Sequence, residues 1–329
     1  VIEILSQTAL ATVQDLGRFG ALCFGVGTSG AMDDLALAAG NLLLGNAEAD
    51  AGIELQVFPF ELRFHVPCAF ALTGADCAAT LDGQPILPWW SYQAAAGQVL
   101  RLGPPVAAPG RISRAYLCVA GGIDVPAVLG SRSTQLRGAF GGHEGRALRQ
   151  HDVLRVGRPG DAVRRVGFGL MPPAQVDPLL QDGVAAMRVM PAAEYDHYDE
   201  ASRAAFWEQS WKITPQSDRY GYRLAGPRLS TTTPVELRSH GIVPGVIQVP
   251  HSGQPIVQMR DAQPSGGYPK IGTVIAADLW RLGQAPIGSQ IRFIRCDWEE
   301  ALSAEQRNRA YLDRVRRLAA LYRSQPGVG

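Results

Sequence analysis

Lysine is nearly missing from this 329-residue chain: its 31 basic residues include Lys212 and Lys270 and are otherwise arginines. That scarcity excludes several lysine-dependent functions. A P-loop needs a Gly-Lys pair to cradle phosphate, but Trp211 and Pro269 precede the two lysines. A biotin carrier needs a lysine between two methionines, and neither lysine has such neighbours. Cysteine is sparse too. Cys23, Cys68, Cys77, Cys118 and Cys296 are widely spaced, with no CxxC, so they read as reduced, mostly buried side chains rather than a disulfide framework. The histidines form no HExxH and no cluster with cysteine, which argues against a zinc site built from sequence neighbours. No apolar run approaches the roughly 18 residues that cross a bilayer. The opening VIEIL shows no signal-peptide pattern. A net charge of +1 gives no reason to expect nucleic acid or an anionic membrane as partner. A cytoplasmic protein with neither partner is the expectation.

What is present is glycine, proline and short apolar groups. Residues 1–160 read as strands with turn punctuation: Ile2–Leu5, Leu62–Val66, Phe70–Thr73, Val99–Leu102, Ala115–Val119 and Val153–Val156, with Asp82-Gly83, Gly121-Gly122 and Gly141-Gly142 between them. One helix interrupts them. Ser29 is its expected cap, Asp33 and Asp34 suit its first turn, Leu35, Ala38, Ala39, Leu42 and Leu43 give it an apolar face, and Gly45-Asn46 ends it. Residues 161–184 lose the rhythm and read as a connector. Strands resume at Met187–Met190, Lys212–Thr214, Tyr222–Leu224, Val246–Val249, Ile256–Met259 and Gln290–Ile294. A short helix is expected between Tyr195 and Gln209, with Tyr198, Ala201, Ala205 and Glu208 on one face. Ser303 is the expected cap of a tail helix reaching about Tyr322, whose stripe Tyr311, Val315, Leu318 and Tyr322 packs on the protein's own body or on a partner.

An internal repeat is visible. Arg18-Phe19-Gly20, Asp82-Gly83-Gln84-Pro85-Ile86 and Gly97-Gln98-Val99-Leu100-Arg101-Leu102 recur in order as Arg219-Tyr220-Gly221, Ser252-Gly253-Gln254-Pro255-Ile256 and Gly288-Ser289-Gln290-Ile291-Arg292-Phe293. Two related β-barrel or sandwich domains are the simplest physical reading. The expected division is 1–165, a connector at 166–186, 187–296 and a helical tail at 297–329.

Gly25-Val26-Gly27-Thr28-Ser29-Gly30 matches a dinucleotide fingerprint, with Glu54 some way downstream. The β-rich surroundings lack the βαβ pattern such a site needs, so these glycines read as a tight turn whose amides attract a carboxylate or phosphate. Two clusters, Gln14-Asp15-Leu16-Gly17-Arg18 and Gln216-Ser217-Asp218-Arg219-Tyr220, set an aspartate and an arginine beside glycine. Such a pair clamps a loop or grips a carboxylate, carboxamide or phosphate ligand. The segment Gly241–Gly272 carries Gln248, Gln254, Gln258, Arg260, Asp261, Gln263, Tyr268 and Lys270 between its turns, enough polar groups to line a site.

VQDLGRFG, GTSGAMDDLALAAGNLLLGN, VAGGIDVPAVLGSRST, TPQSDRYGYRLAGP and GIVPGVIQVPHSGQPIVQMRDAQPSGGYPKIGTV resemble the allophanate hydrolase subunit 2 family over residues 1–296. The resemblance implies two cyclophilin-like β-barrel domains in tandem, mainly β with a few helices, plus the C-terminal helix. It implies a subunit of an ATP-dependent 5-oxoprolinase that opens 5-oxo-L-proline to L-glutamate together with the 5-oxoprolinase B and A subunits. ATP and Mg²⁺ act at the level of the assembled complex, nothing is covalently bound, and homo-oligomers are possible. The alternatives are a carboxyltransferase subunit taking a carboxyl group from biotin on another chain to urea or another amide, and a non-catalytic antagonist of a kinase inhibitor. Phosphate and developing oxyanion charge need cations or amides. The resemblance thus makes Asp15, Arg18, Asp218, Arg219, Asp261 and Lys270 the catalytic candidates. Ser29, Arg132, Ser133, Gln216, Tyr222, Gln248, Gln254 and Tyr268 are the substrate-binding ones, with no resident metal. Asp261-Ala262-Gln263-Pro264-Ser265 departs from the family, which has a basic residue after the aspartate and then Gln-Thr-Thr or Gln-Thr-Gly. That change alters specificity or only stiffens a turn.

Overall fold

The computed structural model describes every residue except 8–9, 107–111, 159–165, 234–236 and 325–329, so residues 161–165 of the expected connector lie outside it. The chain is mainly β with a few helices, as expected. The strands before residue 157 form two sheets. One runs Val153–Leu154, Ile2–Ile4, Phe60–Phe64, Val99–Leu102, Thr80–Leu81, Gln84–Pro85; the other runs Ala11–Gln14, Gly52–Leu55, Ala115–Val119, Cys68–Gly74, Trp90–Ala94. They face each other across one core containing Ile2, Leu62, Phe64, Ile53, Phe70 and Leu117. Phe64 and Phe70 stack between the sheets with ring centroids 5.1 Å apart.

The two sheets differ in sequence pattern for a physical reason. Phe60–Phe64 alternates buried and half-buried positions because its sheet has one covered face. Cys68–Gly74 and Ala115–Val119 are buried throughout. Their second face is covered by the helix Asp34–Leu44, where Ala36, Leu37 and Leu43 meet Ala71, Tyr116 and Cys118. Asp33, not Ser29, caps that helix, its Oδ1 accepting from the Ala36 amide at 2.9 Å. The helix ends at Gly45 in the left-handed conformation (φ 76°), as Gly45-Asn46 indicated.

The later strands close into a barrel. Its order is Val184–Pro191, Lys270–Val274, Val246–Gln248, Ile256–Gln258, Gly221–Ala225, Trp211–Ile213, Gln290–Arg295, and the last strand returns to the first as a parallel pair with Met187 opposite Phe293. Closure leaves no free edge among these seven strands. Met187, Trp211, Tyr222, Ile247, Val257, Ile271 and Phe293 fill the interior. The helix Glu200–Glu208 plugs the barrel with Phe206, and Ser202 and Phe206 are its buried residues rather than the expected Ala201/Ala205 face. The repeated motifs share backbone geometry: Gly83 and Gly253 have φ of 78° and 76°, and Gly97 and Gly288 have φ of 90° and 86°.

The tail helix spans Trp298–Ser324. Its start is a capping box made by Asp297 rather than Ser303. The Glu300 amide donates to Asp297 Oδ1 at 2.8 Å, and the Asp297 amide donates to Glu300 Oε2 at 3.0 Å. The helix lies on the protein's own body. Tyr322 meets Phe168 at 4.4 Å between ring centroids, and Arg323 donates to the carbonyls of Leu42 and Leu43 at the end of the first helix. Of the expected stripe, Leu318 stays 49% exposed, and Ala319 is buried in its stead. Asp297→Ala is expected to cost about 1 kcal/mol and to fray the first turn. Hydrogen exchange at residues 298–301 reads this directly, and unchanged protection there contradicts it.

Candidate active site

The glycine-rich segment Gly25–Gly30 is a joint between the pair of sheets and the barrel. The Ser29 amide donates to the Arg260 carbonyl at 2.9 Å, and Met32 joins the barrel core. A Cβ on Gly27 would stand 2.5 Å from the Ala262 carbonyl, so only glycine lets the backbones approach this closely. The departure at Ala262 therefore falls on this contact.

Beneath the joint lies a buried charge network. Arg219 uses Nε and Nη2 to grip Asp261 at 2.9 and 3.1 Å, Nη1 to reach Glu54 at 2.6 Å, and Nη2 again to reach the Gly30 carbonyl at 2.7 Å. Burial opposes the Arg219 charge, but Asp261 and Glu54 more than offset it and raise its pKa above the usual guanidinium value. Burial likewise opposes charge on Glu54. Arg219, Arg114, the Met32 amide and the Tyr116 hydroxyl together pull its pKa below the usual carboxylate range. Arg114 reaches across to the Tyr222 hydroxyl at 2.9 Å and to the Gly283 carbonyl. Gln284 accepts from the Ser113 and Arg114 amides and donates to Asp33 Oδ2 at 2.8 Å.

Above Arg219 opens a cleft of about 710 Å³. One wall is the outer face of the barrel, and the other comes from the first sheets' loops through Gln56, Leu136 and Arg137. Strand register explains the barrel wall. Ile247 and Val257 are paired and point inward, so by alternation Gln248, Ile256 and Gln258 share the outward face. The cleft collects Gln216, Asp218, Arg219, Gln248, Asp261 and Tyr268 from the sequence candidates. Asp218 shapes its rim, with Oδ1 accepting from the amides of Tyr220 and Gly221 at 2.8 and 3.2 Å. Tyr220 is held by Gln135 at 2.6 Å and lies under the Arg137 guanidinium.

The other candidates do not line it. Asp15, Arg18, Arg132 and Ser133 form a separate knot in the first half. Asp15 Oδ1 accepts from the Ser131 and Ser133 hydroxyls and from the Gly17 amide, and Oδ2 accepts from the Arg132 amide at 2.6 Å. Arg18 is wholly buried, donates to the Val128 and Ser133 carbonyls, and lies over Phe140. This Asp–Arg pair clamps loops. Ser29 is buried in the joint. Tyr222 points into the barrel toward Arg114, because its neighbours in the strand Gly221–Ala225 alternate. Gln254 pairs with both the amide and carbonyl of Gly226 at 3.0 and 3.2 Å. Lys270 is buried with Nζ 3.6 Å from Glu194.

Sequence reasoning passed over Gln56, Arg137 and Arg223 in the cleft and Arg114 beneath it, and it noted Glu54 only as the acidic residue downstream of the glycine fingerprint. Glu54 carried a signal, since a lone carboxylate inside the apolar strand Gly52–Leu55 requires a buried cation. Arg219 takes both oxygens of Asp261, and no group of three or more His, Cys, Asp or Glu able to hold a metal exists among the described residues. Among those residues no helix is long and apolar enough to cross a membrane.

Comparison with known proteins places the chain. A family model described as the carboxyltransferase domain, subdomains A and B, matches residues 24–295. The chain is 42% identical over 319 residues to the 5-oxoprolinase C subunit of Haemophilus influenzae, covering 97% of this chain and 98% of that one. It is 42% identical over 316 residues to the 5-oxoprolinase C subunit of Escherichia coli, covering 96% and 97%. The crystal structure of Kluyveromyces lactis urea carboxylase superposes with a TM-score of 0.85 at 27% identity, over 95% of this chain and 29% of that one. The expected relationships to a 5-oxoprolinase component and to urea carboxylase are both borne out, and the chain belongs to the family of the carboxyltransferase domain, subdomains A and B.

Proposed function

We propose that this chain is the C-type subunit of a 5-oxoprolinase, working with the B and A subunits to open 5-oxo-L-proline to L-glutamate with ATP cleavage. The observation that carries the reading is identity of 42% along nearly the full length of two bacterial proteins of that name. The cleft agrees chemically. A lactam offers one carbonyl acceptor and one N–H donor, and a carboxamide side chain answers both. Gln216, Gln248, Gln258 and Gln263 converge there, while Arg223 and Arg137 supply cations for the substrate carboxylate. A lactam is a poor electrophile, so developing charge on its oxygen needs fixed donors. We assign the nucleotide and Mg²⁺ to the assembled complex of the three subunits.

The family model and the urea carboxylase likeness favour a second reading, carboxyl transfer from carboxybiotin on another chain to urea or a related amide. Both readings place an amide in the same cleft. The test is co-expression with candidate B and A subunits, followed by glutamate and ADP assays with 5-oxoproline. Glutamate formation that needs all three chains is expected. No turnover by the assembled complex, together with carboxyl transfer to urea from carboxybiotin, overturns the first reading in favour of the second.

A further inference from the structure

A second cavity, of about 500 Å³, lies under the tail helix and shares no lining residue with the cleft. Its size falls within the roughly 300–1,000 Å³ of small-molecule sites. One wall is the tail helix, through Val315 and Leu318. The other comes from Met171, the short helix Pro173–Val176 and the helix Leu279–Gln284. The Tyr311 hydroxyl donates to the Met171 carbonyl at 3.0 Å and ties the two walls together. The lining is apolar but uncovered: Met171, Val176 and Leu318 are 62%, 52% and 49% exposed. Single exposed apolar side chains are ordinary on a protein surface, but several gathered around one concavity mark a binding site.

The charges around this cavity do not balance. Asp278 is held by Arg188 at 2.6 Å and by Arg281 at 3.2 Å, while Asp177 is held by Arg281 at 2.9 Å and lies 3.9 Å from Arg307. Arg314 also lines the cavity and has no ion pair among the described residues. Guanidinium therefore exceeds carboxylate here. Arg281 lines the cavity with its side chain 8% exposed and its guanidinium 4.3 Å from the Trp280 ring centroid. Its Nε and Nη2 are taken by the two aspartates. Its Nη1 has no partner among the described residues and is not sealed from solvent. Burial, with Arg188 nearby, pulls the Arg281 pKa down in spite of both aspartates. A further carboxylate would supply the charge the site lacks. We infer that this cavity binds a small apolar carboxylate, with its chain against Trp280, Val315 and Leu318 and its charged end on Arg281 and Arg314. A bare anion gains nothing from the apolar walls, and a neutral hydrocarbon leaves the guanidinium excess unanswered. The site does not depend on the reading of the cleft.

The test is a ligand-observed NMR titration of the full chain with octanoate, 1-octanol and acetate. Octanoate is expected to bind saturably. 1-Octanol, which keeps the chain and loses the charge, is expected to bind about 10-fold more weakly, and acetate, which keeps the charge and loses the chain, not measurably. Arg281→Met is expected to weaken octanoate about 10-fold and to leave 1-octanol unchanged. Arg314→Gln, a change at an exposed position, is expected to lose about 3-fold and serves if the first variant fails to fold. Leu318→Asp sets a like charge beside the ligand's carboxylate and is expected to weaken octanoate as well. Absence of octanoate binding overturns the inference, as does equal affinity for octanoate and either control. Unchanged octanoate affinity in Arg281→Met and Arg314→Gln overturns it by placing the ligand elsewhere. Equal losses of octanoate and 1-octanol in those variants overturn it too, since they mark a structural role for the arginines.

Discussion

Arg219→Ala is expected to cost about 3–5 kcal/mol of stability, the usual penalty for removing one partner of a buried ion network. Glu54 and Asp261 are 2% and 1% exposed, so truncation leaves two carboxylates out of reach of water. Arg114, whose Nε lies 3.8 Å from Glu54, compensates only in part. The Gly30 carbonyl also loses its donor. Arg219→Lys is expected to rescue little, because one ammonium cannot reproduce the fork that holds Asp261 at two points. The damage falls on the joint, since Glu54 belongs to the first sheets and Arg219 to a loop of the barrel. Urea denaturation of the variant should therefore show a lowered midpoint. A wild-type midpoint refutes this account. Lost turnover in this variant would by itself say nothing about chemistry, because the fold is weakened with it.

Stability of the wild type is expected to fall as pH rises from 5 to 7, and Asp33 is the cause. Burial raises its pKa from 3.8 to about 7, the Ala36 amide and Gln284 oppose the rise, and the neighbouring charges of Asp34 and Glu54 add to it. The unfolded chain loses this proton near the ordinary carboxylate value, and the folded chain keeps it until about pH 7. Between those values the native state binds the extra proton, so its advantage is complete below the lower value and is lost on passing the upper one. The ceiling is about 1.4 kcal/mol per pH unit. Glu3, Glu54, Asp152 and Asp199 have lowered pKa values and act in the opposite direction, but only at more acid pH, which makes Asp33 the carboxyl group that titrates between 5 and 7. Asp33→Asn keeps an oxygen for the Ala36 cap and should flatten the profile in that range. Denaturation midpoints measured at half-unit steps from pH 5 to 8 give the answer, and parallel profiles for the two proteins would sink the explanation.

The site was partly legible before the fold was known. Val99–Leu102 and Ala115–Val119 appear as strands with the expected bounds, because alternation and turn residues act between near neighbours in the chain. Lys270–Val274 and Gly52–Leu55 were passed over. The first is broken up by glycine, and the second is too short and buried on both faces to alternate. Of the two Asp–Arg clusters, the sequence treats Asp15/Arg18 and Asp218/Arg219 alike. The fold separates them, tying the first into a loop knot and setting the second under the cleft.

By itself the sequence determined the mainly β character, the turns at Gly83, Gly121-Gly122 and Gly141-Gly142, the first and last helices, and a family membership written in long contiguous motifs. All of these depend on residues close together along the chain. Only the tertiary structure decided that Glu54, 165 residues from Arg219, is its counter-ion. It alone placed Ser29 in a joint rather than at a cap, and closed the barrel by pairing Val184–Pro191 with Gln290–Arg295. A buried charge takes the partner that chain crossing brings within a few ångströms, and its low-dielectric surroundings make that choice costly to change; spacing along the sequence carries no record of it.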